Sequence, residues 1–201
     1  MISRTLLFAF AITLLLGCKK GENDPSFSLK SRKARLTGSW VAESAEWTKN
    51  DTTLVFDGVN VEISDTAVID KLGYSINMQF TSTGEYIFST TTIYSENYID
   101  STLAGVNCNN TETGLWNFTG GASNTKTKSQ LLLLSSKLEK TCSNMAVNVN
   151  TTSITGQNGG FIYNIDRLSD TELILIYNRE IATSNGTIIE TGKIKLNKED
   201  S

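Results

Sequence analysis

The feature that most constrains this chain is a two-residue alternation in which Tyr74, Ile76, Met78 and Phe80 fall on one side and Ser75, Asn77, Gln79 and Thr81 on the other. An extended strand with one face in a core and the other in water accounts for that period, because successive strand side chains point to opposite faces. Turn residues then reverse the chain. Asp57-Gly58 is a hairpin pair that tolerates positive φ, and Ser82-Thr83-Gly84 leads from the 74–81 segment into a second one at 85–94.

Similar signals recur along the body of the chain. Trp40, Ala42 and Ser44 alternate with Val41, Glu43 and Ala45, and segments 55–56 and 59–63 flank the Asp57-Gly58 turn. Segment 114–118 reads as a strand, and the apolar run 131–134 reads as a strand that is either covered on both sides or close against the barrel wall. Segments 161–168 and 172–177 pair across Ser169-Asp170-Thr171, and Asn185-Gly186 turns into 187–196. Residues 66–72 are expected to form one helical turn closed by Gly73. Two polar stretches, 96–113 and 138–160, are expected to be long loops. The count comes to eight to ten strands joined mostly by short reversals, with at most one short helix. That is the spacing of an all-β antiparallel up-and-down barrel or a sandwich.

Composition narrows the chemistry. The chain has no histidine, which removes Ser-His-Asp triads, Cys-His pairs, His-ligated zinc and any imidazole acid or base. Glu43 with Glu46, and Asp65 with Asp70, are the nearest approach to carboxylate pairs, and neither spacing brings both groups together on a strand. No catalytic residue, metal site or cofactor is expected. With a net charge of −3, no field gathers phosphates over the surface, so nucleic acid is not an expected partner.

The N-terminus carries its own message. Arg4 precedes an apolar run from Leu6 to Leu16 that is of signal-peptide length and too short to span a bilayer. Leu15, Gly17 and Cys18 follow in an arrangement that resembles the lipobox of bacterial lipoproteins. The resemblance implies a signal peptide over 1–17, cleavage after Gly17, and acylation of Cys18, palmitate included, because only a thiol takes the diacylglyceryl group as a thioether. Residues 18–34 then form a polar, extended tether containing the chain's only proline, and 35–201 form one domain. The expected location is the cell envelope, lipid-anchored to the outer membrane, with its periplasmic or surface face left open.

Of three cysteines, lipid on Cys18 leaves Cys108 and Cys142 as a pair in an oxidising compartment, where a disulfide between loops is expected.

The order Leu36-x-Gly38-x-Trp40, Phe80 with Gly84 and Tyr86, Gly114-x-Trp116, Leu131 and Leu133, and Ile165 with Leu168-Ser169 and Leu173-x-Leu175 resembles the lipocalin-like lipoproteins of Bacteroidetes-type bacteria. The likeness covers roughly 36–196 and favours the barrel. It implies that Gly38 and Trp40 close one barrel end, and that the barrel binds a small apolar ligand. Met78, Phe80, Phe88, Tyr163 and Tyr177 are the candidate cavity residues. The alternative is an envelope interaction protein with a solid barrel, docking a protein or glycan through its loops.

Overall fold

The computed structural model describes residues 24, 29–49, 52–65, 68–94, 104–121, 128–144, 147–155, 160–183 and 186–199. One short helix, α1 (Arg32–Leu36), precedes β1 (Gly38–Lys49), β2 (Thr52–Phe56), β3 (Asn60–Asp65), β4 (Val68–Phe80) and β5 (Glu85–Ile93). Then come β6 (Asn107–Thr119), β7 (Gln130–Asn144), β8 (Val147–Thr155), β9 (Gly160–Leu168), β10 (Glu172–Thr183) and β11 (Gly186–Lys198). All belong to one antiparallel sheet that the β6–β7 ladder closes into an up-and-down barrel.

The barrel is narrow at one end and wide at the other. At the narrow end, β1 pairs directly with β4 from Gly38↔Phe80 to Val41↔Asn77, and β7 pairs with β9 from Gln130↔Asn164 to Leu134↔Gly160. At the wide end, the β2–β3 hairpin is wedged between β1 and β4, and β8 takes the place of β9 along β7. The wall therefore grows from eight strands to ten. More strands give a larger bore, so packed side chains fill the narrow half while the wide half has room to spare.

The 74–80 alternation holds. Ile76, Met78 and Phe80 are buried, and β4 pairs with β5 from Gly73↔Ile93 to Phe80↔Tyr86. Trp40 is fully buried at the narrow end, together with Leu36, Leu131, Leu168, Leu173, Leu175 and Leu196. Full burial of such an aliphatic side chain contributes about 1.5–3 kcal/mol.

Helix α1 caps this end. Ser31 Oγ accepts from Ala34 N–H at 3.1 Å, which satisfies one of the free donors of the first turn. Carbonyls of the last turn lack helical partners. Here the Trp40 indole N–H donates to Leu36 O at 2.7 Å and Lys198 Nζ donates to Arg35 O at 2.6 Å. Lys198 Nζ also lies 5.0 Å from the Trp40 ring centroid. Trp40 thus plugs the barrel and closes the helix.

Several expectations are corrected. The one helix among the described residues is at 32–36; of the helical turn expected at 66–72, residues 66–67 lie outside the described residues and Val68 already opens β4. The ladder from Asn60↔Gly73 to Asp65↔Val68 pairs that backbone, whereas a lone helical turn is costly to nucleate. The described parts of the polar stretches 96–113 and 138–160 are largely strand, contributing to β6, β7 and β8, while 96–103, 145–146 and 156–159 lie outside the described residues. Cross-strand polar contacts sustain them, with Thr91 Oγ1 donating to Asn109 at 2.8 Å and Asn110 Nδ2 donating to Thr90 at 3.3 Å. Cys108 and Cys142 do form a disulfide, but it joins directly opposed positions of β6 and β7, with Cα atoms 4.0 Å apart, rather than two loops. Of the two readings of the 131–134 run, coverage on both sides does not hold: Leu131 and Leu133 are buried and Leu134 is exposed, as in a one-sided strand of the barrel wall.

The segment expected as a free tether is partly folded onto the barrel. Asp24 and Arg32 are both buried and form an ion pair, and Asp24 Oδ1 accepts from Leu168 N–H at 2.7 Å. Arg35 donates to Leu168 O at 2.6 Å. Leu168 ends β9 before the Ser169 turn, so both of its backbone polar groups are satisfied by the segment that precedes β1.

Candidate functional site

The space in the wide half begins with a shift in β1. A β-bulge between Ala42 and Ser44 breaks the alternation, so Ala45 and not Ser44 is buried after Ala42, and Trp47 packs against the core. Trp47 stands with its ring centroid 6.1 Å from that of Tyr74 on β4, which packs edge-on to Phe56 of β2 at 5.8 Å. A second cluster occupies β9 and β10, on the far arc of the wall. There Phe161 and Tyr163 have centroids 4.5 Å apart, and Tyr177 meets them edge-on at 5.2 Å and 5.8 Å. Edge-to-face contacts of this kind add to simple area burial and hold the rings in place.

Between the clusters lies a cavity of about 200 Å³, lined by both sets of rings, by Phe88 of β5, and by Ile76 and Ile194. It adjoins a second space of about 300 Å³, with which it shares Phe88, Phe161, Tyr163 and Arg179 and which reaches Glu112, Leu133 and Ser135. Gly192 makes the lining possible: Tyr177 lies across the β10–β11 ladder from it, where a Cβ would collide with the ring.

Charged groups stand at one side. The β9–β10 ladder runs from Leu168↔Leu173 to Asn164↔Ile176, and Arg179 lies just beyond it on β10. Arg179 Nε donates to Glu190 Oε2 at 2.6 Å, and its guanidinium lies 4.9 Å from the Phe161 centroid. Lys49 Nζ approaches Glu190 Oε1 at 3.4 Å. Burial pushes the Glu190 carboxyl up, but the Arg179 and Lys49 hydrogen bonds and charges outweigh it and hold the group below its ordinary value.

On the opposite side the Tyr86 hydroxyl donates to Glu112 Oε1. Burial, reinforced by Glu112, pushes the Tyr86 phenol well above its ordinary range. Tyr163 shifts the same way, through burial first and then Tyr177 and Glu112. Only 8% of Tyr163 is exposed, and among the described residues its hydroxyl has no hydrogen-bond partner.

Of the candidate cavity residues, Phe88, Tyr163 and Tyr177 line this space. Met78 lies deeper, opposite Trp40 in the β1–β4 ladder, and Phe80 packs edge-on to Trp116 at 5.9 Å. Both belong to the filled narrow half. Trp47, Tyr74, Phe161, Arg179 and Glu190 are not among the expected cavity residues, although the alternation places Tyr74 on the inward face of its strand. Phe161 carried a usable signal, since it stands two residues before Tyr163 on the same strand face. A larger cleft of about 460 Å³ lies outside the narrow end, lined by Lys30, Gly38, Asp170 and Lys198. Its Lys30 pairs with Asp170 at 3.6 Å and its Lys198 is held by the Arg35 carbonyl, and no aromatic ring lines it.

No family model matches the chain, and no curated protein matches its sequence. The fold and cavity define the class: a closed antiparallel β-barrel, filled at one end and hollow at the other.

Proposed function

We propose that this chain is an exported lipoprotein, anchored to the outer membrane through Cys18, whose barrel binds a small apolar ligand in its wide half. The observation that carries the binding reading is the ring-lined cavity between Trp47, Tyr74, Phe161, Tyr163 and Tyr177, set above a narrow end that packed side chains fill. A concave, mostly apolar space with few polar groups is the usual form of a small-molecule site. The anchoring reading rests on the apolar run before Gly17-Cys18, and two or three acyl chains there give durable attachment.

Two measurements test the two halves separately. In an expressing bacterium, the Cys18→Ser chain leaves the membrane fraction and loses acyl label, and unchanged membrane association counts against the anchor. Organic extraction of the gently purified protein, followed by mass spectrometry, yields a stoichiometric apolar compound. A protein that comes away empty but with a stable envelope partner belongs instead to the interaction class.

A further inference from the structure

We infer that the wide-half cavity takes a flat, ring-bearing molecule that also carries a hydrogen-bond acceptor, with the Tyr163 hydroxyl as the group that meets the acceptor. The inference rests on the ligand-binding reading and names the ligand class.

The shape of the ligand follows from the lining. Six of the side chains around the smaller cavity are aromatic, with Ile76 and Ile194 as its aliphatic members. The rings form two clusters on opposite arcs of the wall, Trp47 with Tyr74 and Phe161 with Tyr163 and Tyr177. Faces and edges of aromatic rings favour another ring in offset or edge-on contact over a flexible alkyl chain, which gains area burial alone and gives up more conformational freedom on being fixed.

The acceptor follows from Tyr163. The other buried tyrosine, Tyr86, donates its hydroxyl to Glu112. The Tyr163 hydroxyl has none among the described residues, although the side chain is more than nine-tenths buried and borders both cavity spaces. The hydroxyl is not among the fully buried unpartnered atoms of the described residues, so it opens on the cavity, where water meets it in the empty barrel and a ligand acceptor can take the water's place. Burial keeps this phenol protonated, so it meets a ligand as a donor. The guanidinium of Arg179, by contrast, is committed to Glu190.

The test uses the exported full-length Cys18→Ser chain, which needs no detergent, and three probes in equilibrium dialysis: 2-acetylnaphthalene, 2-ethylnaphthalene and dodecanoate. The first two have nearly the same shape and differ in the carbonyl acceptor. The ketone is expected to bind about tenfold more tightly than the hydrocarbon, the size of one buried hydrogen bond. Dodecanoate is expected to be the weakest. Tyr163→Phe, which removes one oxygen and no ring, is expected to weaken the ketone alone and bring the two naphthalenes within about twofold of each other. Equal binding of the two naphthalenes to the unaltered chain, a ketone preference that survives Tyr163→Phe, or dodecanoate binding more tightly than both would overturn the inference and leave a ligand-binding barrel. Failure of all three probes to bind overturns the ligand-binding reading together with it.

Discussion

The Tyr177 ring lies directly over Gly192: a Cβ added at that glycine would stand 2.3 Å from Tyr177 Cε1. The two residues are opposed in the β10–β11 ladder, so the ring covers a position that only a missing side chain leaves open. The requirement is one of space and not of backbone angle. Gly192→Ala must therefore drive Tyr177 toward the cavity, at a cost of about 1–3 kcal/mol for overpacking. Urea unfolding should show a lower midpoint with an unchanged slope, and an unchanged midpoint would show that the ring has room elsewhere.

Trp40 combines full burial with an indole N–H bonded to Leu36 O at 2.7 Å. Trp40→Ala is expected to destabilise the barrel by about 3–5 kcal/mol, as a large core truncation does. Trp40→Phe keeps most of the apolar surface but leaves the helix carbonyl without its donor, so a smaller loss of about 1–3 kcal/mol is expected. Denaturant unfolding of the two variants side by side separates the packing role from the capping role. An undiminished stability of Trp40→Phe would mean that the hydrogen bond contributes nothing of its own, and equal losses that packing does not.

The sequence was most informative where a strand has one wet and one dry face. Segment 74–80 revealed its register because a slip of one residue would expose Ile76, Met78 and Phe80 together. It was least informative where polarity is shared between faces. The polar parts of β6, β7 and β8 look like loops in sequence, since Thr and Asn serve turns as well as cross-strand hydrogen bonds. The cavity divides along the same line. Phe88, Tyr163 and Tyr177 stand out as apolar positions within strands, whereas Trp47 is displaced from its expected face by the bulge after Ala42. Arg179 and Glu190 are charged residues set between apolar positions of their strands, and on sequence alone a charged strand residue reads as surface.

The Cys108–Cys142 bridge spans a sequence separation of 34 residues between adjacent strands. Loop-closure entropy assigns about 3–4 kcal/mol to a crosslink of that span, less any native strain. The double variant Cys108→Ser, Cys142→Ser should unfold at correspondingly lower urea. Peptide mapping of the exported protein without reductant should recover the crosslinked pair, and two freely alkylated thiols would contradict the bridge.

Asp24 and Arg32 give the segment before β1 a structural role. Their ion pair is buried, and Asp24 also accepts the Leu168 N–H at the end of β9. Removing one partner strands the other charge, which in buried pairs costs about 3–5 kcal/mol. Asp24→Ala should therefore destabilise the domain clearly, while the paired change Asp24→Leu with Arg32→Met should recover part of the loss. An unfolding free energy unaffected by Asp24→Ala would return residues 24–34 to the status of a free tether.

Tyrosines make the barrel sensitive to alkali. Burial, with Glu112 close by, raises the Tyr86 and Tyr163 phenols far above their ordinary range, and burial raises Tyr74 and Tyr177 in the same direction. In the unfolded chain these groups ionise near pH 10. Below that pH both states hold the proton and the stability is fully present. Above it the unfolded chain releases protons that the folded barrel keeps, so stability falls with rising pH until the folded phenols ionise as well. The slope reaches about 1.4 kcal/mol per pH unit for each such tyrosine. Urea unfolding at pH 8 and pH 11 should show the loss, and Tyr163→Phe should lessen it by the share of one group. Lysines titrate in the same window, which makes the difference between the two chains the quantity to read. In the folded protein, phenolate absorbance should rise in two stages as the pH is raised, the exposed tyrosines first and the buried ones only as the barrel opens. Ionisation of Tyr86 and Tyr163 at the ordinary phenol pH with the barrel still folded, read as the part of the absorbance that Tyr86→Phe and Tyr163→Phe remove, would show that they are open to water.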